Sequence, residues 1–180
     1  MADTLNAQAP DVHLLLGDYL DSSQILRRRL APEAVAVPAR GTRFWIGGVA
    51  DVRYRRADPE GTIARTPEDE PVLLLSHNPD VFPHVPARVA LTLSGHTHGG
   101  QVAIPLLRRP LLPSRYGERY ARGHIVEGGR HLYVTHGVGT SGLPIRFLAP
   151  PEVVVLTLRA QASYMPSKEK IRRRIATEEA

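Results

Sequence analysis

The chain has 180 residues, 42% of them hydrophobic and 23% charged, which suits one domain with a sizeable core and hardly two. It contains no cysteine, which excludes disulfides and thiolate metal sites and leaves His, Asp, Glu and Asn as candidate ligands. The net charge of +5 is spread over scattered arginines, and aromatics make up only 6%, so a polynucleotide-binding groove is disfavoured and attraction for a phosphorylated substrate is the better reading.

Short apolar runs ending in polar or glycine-rich turns dominate the chain. "VHLLLGD" (12–18), "RFWIGGVAD" (43–51), "PVLLLSHNPD" (71–80), "VALTLSGHTHGG" (89–100) and "PEVVVLTL" (151–158) are predicted strands. "SSQILRRRLA" (22–31) is a predicted helix capped by Ser22 or Ser23. "GHIVEGGRHLYVTHG" (123–137) reads as a hairpin turning at Gly128-Gly129. A basic tail, 161–180, is set apart from a domain over 1–160 and offers a short helix with Ile171 and Ile175 on one face. No run reaches the ~20 apolar residues of a membrane span. "MADTLNAQAPDV" lacks the basic and apolar regions of a signal peptide. A soluble, cytoplasmic chain is therefore expected.

Asp18, His77, His96 and His98 each fall just beyond the end of an apolar run. Layered α/β folds gather ligand-binding groups there, because strand ends hold loops rigidly around one crevice. In Gly95-His96-Thr97-His98-Gly99-Gly100, alternate side chains of an extended turn point one way, and the glycines let the backbone bend until both rings converge. Two convergent neutral imidazoles suit a borderline divalent metal. Taken singly, Asp18 fits a helix cap or turn equally well, and His77 fits a hydrogen-bonded core histidine.

Together these residues resemble the calcineurin-like metallophosphoesterases. The resemblance is carried by "GDY" (17–19), "LLLSHNPDVFP" (73–83), "LSGHTHGGQV" (93–102) and "GTSGLPIRF" (139–147), and it runs from about residue 5 to 160. It implies an α/β fold, a two-sheet α/β/β/α sandwich with a binuclear metal site at the strand ends. By the resemblance Asp18 is the bridging carboxylate, His77 and His96 bind one ion, and His98 the other. The implied cofactors are one or two divalent ions, Mn, Zn or Fe. The implied activity is hydrolysis of a phosphoester or pyrophosphate, with Asp18 and His96 at the reacting centre. Arg146 is either a phosphate contact or a structural arginine tied to a loop carbonyl or carboxylate.

The family's N-terminal Asp-x-His and internal Gly-Asn-His-Asp motifs have no counterpart here; the sequence holds no Asn-His pair at all. Asp11-Val12-His13 matches the first only in its letters, since it lies inside the run leading to Gly17-Asp18. A truncated, incomplete sandwich with impaired activity is therefore expected, or a metal-binding or interaction remnant of the same fold. The substrate implied is a phosphorylated small molecule or a lipid-like phosphate such as UDP-diacylglucosamine of lipid A synthesis. Nucleic acid is not an expected partner, peripheral membrane association is open, and oligomeric state is not legible.

Overall fold

A computed structural model describes residues 7–17, 33–39, 42–51, 57–102 and 112–159. Six strands form one mixed sheet in the order β1-β2-β3-β4-β6-β5. They are β1 (Glu33–Ala39), β2 (Thr42–Gly48), β3 (Val72–Ser76), β4 (Val89–Ser94), β5 (Gly123–Glu127) and β6 (Arg130–Val134). β1 and β2 pair antiparallel, as do β5 and β6, while β2, β3, β4 and β6 run parallel to one another. One short helix, α1 (Pro59–Ile63), precedes β3.

Local chemistry explains these elements. β3, "VLLLS", is an unbroken apolar run because both its faces are covered, as a central parallel strand requires. β5 alternates half-buried and exposed residues, as befits the edge of a sheet. Gly128 and Gly129 both adopt positive φ, 56° and 75°, the backbone that a two-residue hairpin turn demands. α1 starts on the Asp58 side chain, which accepts from Gly61 N at 2.9 Å, with Pro59 at its first position.

The core is Ile63, Val72, Leu74, Val81, Phe82, Val85, Val89, Tyr120, Leu132 and Val134. Phe82 meets Tyr120 edge-to-face, with ring centroids 5.7 Å apart. The Tyr120 hydroxyl donates to Glu127 at 2.9 Å, and burial first, then that bond, pushes its pKa up to about 12. Arg119 grips the same carboxylate at 2.7 and 2.8 Å and holds it below the usual carboxylate range.

Three sequence expectations change. β1 is a strand that its composition concealed: Pro38 is tolerated because β1 is the sheet's edge. Residues 12–17 and 151–158 form no strand among the described residues, whose one six-stranded mixed sheet is consistent with the expected incomplete α/β fold. Val12, Leu15, Val153, Val155, Leu156 and Leu158 accordingly stay exposed. The helix expected over 22–31 and the tail 161–180 lie outside the described residues. No helix among the described residues is long and apolar enough to cross a membrane.

Candidate metal centre

Because β2, β3, β4 and β6 are parallel, their C-terminal ends share one edge of the sheet. Backbone bonds lash those ends together: Val49 N to Leu75 O at 3.1 Å, Gly95 N to His77 O at 3.0 Å, and Thr135 N to Ser94 O at 2.9 Å. Within four residues beyond these ends lie Asp51, His77, His96 with His98, and His136. Asp18 lies outside the described residues.

His77 and His96 meet nitrogen to nitrogen. His96 Nδ1 stands 3.0 Å from His77 Nε2, the rings edge-on with centroids 4.8 Å apart. The other nitrogen of His77, Nδ1, lies 2.9 Å from Leu16 O. A carbonyl only accepts, so Nδ1 carries the proton and Nε2 keeps its lone pair turned toward His96. A carbonyl fixing the far nitrogen of an imidazole is how metal-binding histidines are oriented. Two nitrogens held about 2.0–2.1 Å from one ion lie about 2.9–3.4 Å apart for angles between square and tetrahedral, so the observed gap fits a shared ion.

Gly17 makes this packing possible. Its φ is +119°, and a Cβ there would sit 2.5 Å from His77 Nδ1. Gly17→Ala is expected to push the His77 ring off Leu16 O and weaken divalent-ion binding by about 10-fold or more, measured by titrating Zn²⁺ into the metal-free chain.

The loop after β4 is anchored by the residue between its histidines. Thr97 is 1% exposed, and its hydroxyl donates to Ala121 O at 2.6 Å. His96 and His98 on either side are half-buried, with φ of +69° and +50°. Non-glycine residues seldom adopt that conformation, and it concentrates at functional sites. Gln101 closes the loop against residues 141–147. Its amide donates to Ser141 O at 3.0 Å and Leu143 O at 2.8 Å, accepts from Ser141 N at 2.7 Å, and its backbone O accepts from Phe147 N at 2.8 Å.

Arg146 is committed to carbonyls. Nη1 donates to Ala149 O at 3.0 Å and, more weakly, to His98 O at 3.4 Å; Nη2 donates to His136 O at 3.0 Å, Gly137 O at 3.1 Å and Gly139 O. Of the two roles open from sequence, this geometry is that of the structural arginine tied to loop carbonyls. Burial lowers its pKa, with Glu152 opposing. Arg146→Lys keeps the charge but not the planar fork. It is expected to cost about 1–3 kcal/mol, read as a lowered urea midpoint, and to expose 139–148 to protease.

The described residues contain no group of three or more His, Cys, Asp or Glu arranged to hold an ion. They contribute the His77–His96 pair, and the third ligand implied by the resemblance, Asp18, directly follows the Gly17 that abuts His77.

Comparison with known proteins decides the family. The chain is 39% identical over 123 residues to an uncharacterized metallophosphoesterase, YkuE, of Bacillus subtilis, covering 68% of this chain and 43% of the relative. It is 35% identical over 147 residues to the phosphodiesterase YaeI of Escherichia coli, covering 80% and 51%. It is 31% identical over 165 residues to the UDP-2,3-diacylglucosamine pyrophosphatase LpxG of Chlamydia trachomatis, covering 86% and 47%. The chain belongs to the calcineurin-like metallophosphoesterases. It spans about half the length of these relatives. No family model and no solved structure matches it.

In this metallophosphoesterase the sequence reading passed over His136. It follows the end of β6 as His77 follows the end of β3, so the same signal, a polar residue just past "LYVT", was there to be used. Gly99 takes φ +64° against it, and a Cβ there would lie 2.6 Å from His136 Cδ2. His136 N donates to Glu152 Oε1 at 2.9 Å, which ties the loop after β6 to the segment after Pro151. Gln101 was missed as well, since its role depends on contacts some 40 residues away.

Proposed function

We propose that this metallophosphoesterase hydrolyses a phosphoester or pyrophosphate bond with a divalent ion held by Asp18, His77 and His96, and with His98 placed for a second. The observation that carries the reading is the 3.0 Å approach of His96 Nδ1 to His77 Nε2, with the far nitrogen of His77 locked on Leu16 O. A carboxylate and two imidazoles are an ordinary donor set for Mn, Zn or Fe, and three protein ligands leave a position open. When bound, the ion supplies a water of lowered pKa and a clamp on the phosphate oxygens. The chain's own part is positional. Leu16 O aims His77, Thr97 pins the loop that carries His96 and His98, and Arg146 ties the His98 carbonyl to the loop after β6.

The substrate class favoured is a phosphate carrying an apolar group. The relative from Chlamydia trachomatis is named for a diacylated nucleotide sugar. In this chain Leu143, Ile145, Phe147 and Leu148 are 51–69% exposed on the segment that Gln101 fastens beside the histidine loop. Acyl chains of such a substrate would cover them. Turnover is expected to be slow, because the sequence holds no Asn-His pair between Asp18 and His77.

The test loads the purified chain with Mn²⁺ or Zn²⁺, counts bound ions, and follows hydrolysis of bis-p-nitrophenyl phosphate and of a diacylated UDP-sugar. Ion-dependent release from either supports the hydrolase, and preference for the acylated compound supports the apolar rim. Bound ion without turnover favours the remnant reading, for which the missing Asn-His is the supporting observation.

A further inference from the structure

The antiparallel run of β5 against β6 brings one more cation to the edge where the parallel strands end. Gly123 pairs with Val134, so the start of β5 lies level with the end of β6. Arg122, the residue before it, therefore stands at the same edge as His77 and the loop that carries His96 and His98. Two strand spacings, about 10 Å, separate β5 from β4. A side-chain bond ties the two loops together: Ala121 O, on the peptide unit that leads into Arg122, accepts from the Thr97 hydroxyl at 2.6 Å.

Arg122 is exposed. Its guanidinium makes one hydrogen bond, from Nη1 to Leu148 O at a long 3.5 Å, and no ion pair among the described residues. That contact sets it against the apolar segment that Gln101 fastens beside the histidine loop. Neighbouring arginines are committed elsewhere, Arg119 to Glu127 at 2.7 and 2.8 Å and Arg146 to loop carbonyls. A guanidinium without a carboxylate is matched to an oxyanion, because its planar fork pairs bidentately with phosphate oxygens. We infer that Arg122 is a specificity-determining residue that pairs with a second phosphate of the substrate, beside the one that is cleaved. It favours a pyrophosphate-bridged substrate over a simple phosphodiester.

This role rests on the hydrolase reading, and two measurements keep the failures apart. The first is binding. UDP-glucose, a pyrophosphate-bridged probe, is titrated into the chain in the presence of Zn²⁺ while arginine Nε–Hε resonances are followed by nuclear magnetic resonance, with uridine as the phosphate-free control. The Arg122 resonance, identified by its loss in Arg122→Gln, is expected to shift with UDP-glucose and not with uridine. Arg122→Gln should bind the probe about 10-fold more weakly, with an unchanged melting curve because the position is exposed. The second is selectivity. Arg122→Gln is expected to lower kcat/KM for the diacylated UDP-sugar at least ~10-fold relative to bis-p-nitrophenyl phosphate. The loss should fall on KM rather than kcat, since a phosphate that does not react is held alike in ground and transition states. Arg122→Lys, which keeps the charge without the fork, should recover part of it. An Arg122 resonance unmoved by UDP-glucose, or a selectivity unchanged in Arg122→Gln, overturns the assignment. Absence of turnover in the unsubstituted chain counts against the hydrolase reading, and the binding measurement then decides for or against Arg122 by itself.

Discussion

Replacing His96 with alanine is expected to empty the proposed centre and stop hydrolysis while leaving the fold intact. His96 contributes a half-buried ring whose contact with His77 is the one nitrogen-to-nitrogen approach at the ends of the parallel strands that the described residues show. Altering a group that merely orients a metal ligand costs roughly 10–100-fold in affinity or activity, and deleting a ligand should cost more. Hydrolysis of bis-p-nitrophenyl phosphate should therefore fall at least ~100-fold, with bound Zn²⁺ dropping in step. Stability of the metal-free chain should change by only about 1 kcal/mol, because the ring is half-buried and lies outside the hydrophobic core. Parallel loss of metal and rate with an unchanged melting curve separates a ligand from a packing residue. Equal metal content in the alanine variant would remove His96 from the centre.

The second large effect belongs to the core. Phe82→Ala is expected to destabilise the chain by about 3–5 kcal/mol, the usual cost of truncating a buried phenylalanine. Its ring is fully buried, meets Tyr120 edge-to-face and lies 5.2 Å from the Arg130 guanidinium carbon. Its carbonyl also accepts from Val85 N at 3.1 Å and Arg130 Nη1 at 3.1 Å. The cavity would open between the 3-10 turn at Pro79–His84 and the sheet, beneath the segment leading away from His77. At roughly 2–4 °C per kcal/mol for a chain of this size, thermal unfolding should shift clearly. Val126→Thr on the exposed face of β5 is the contrast, expected to move stability by no more than about 0.5 kcal/mol.

The parts of the fold legible in the sequence are those whose signal is local. β3 and β4 announce themselves as apolar runs ended by Ser-His-Asn-Pro and Gly-His-Thr-His, and the Gly128-Gly129 pair marks its hairpin. Asn78-Pro79-Asp80 reads as a turn and is one: Asn78 Oδ1 accepts from Asp80 N at 2.9 Å, and Pro79 opens the 3-10 helix. β1 was hidden because Pro38 argues against a strand until its place at the edge is known. The runs at 12–18 and 151–158, expected as strands, form none among the described residues, since apolar character alone does not supply the backbone pairing that defines a strand.

The candidate site divides the same way. That His77, His96 and His98 fall at strand ends follows from the sequence; which nitrogens face each other does not. The proton on His77 Nδ1 is decided by a carbonyl 61 residues away, and Arg146 by carbonyls at 98, 136, 137, 139 and 149. Thr97 is the instructive case. In the sequence it is a spacer between two histidines, yet its buried hydroxyl bond to Ala121 is what holds that loop in place.

The most direct measurement is anomalous diffraction from crystals of the chain grown with Zn²⁺, collected on either side of the zinc absorption edge. A peak about 2.0–2.1 Å from both His77 Nε2 and His96 Nδ1, with His77 Nδ1 still on Leu16 O, is the expected result. Zinc bound elsewhere with no anomalous density between these two nitrogens would contradict it.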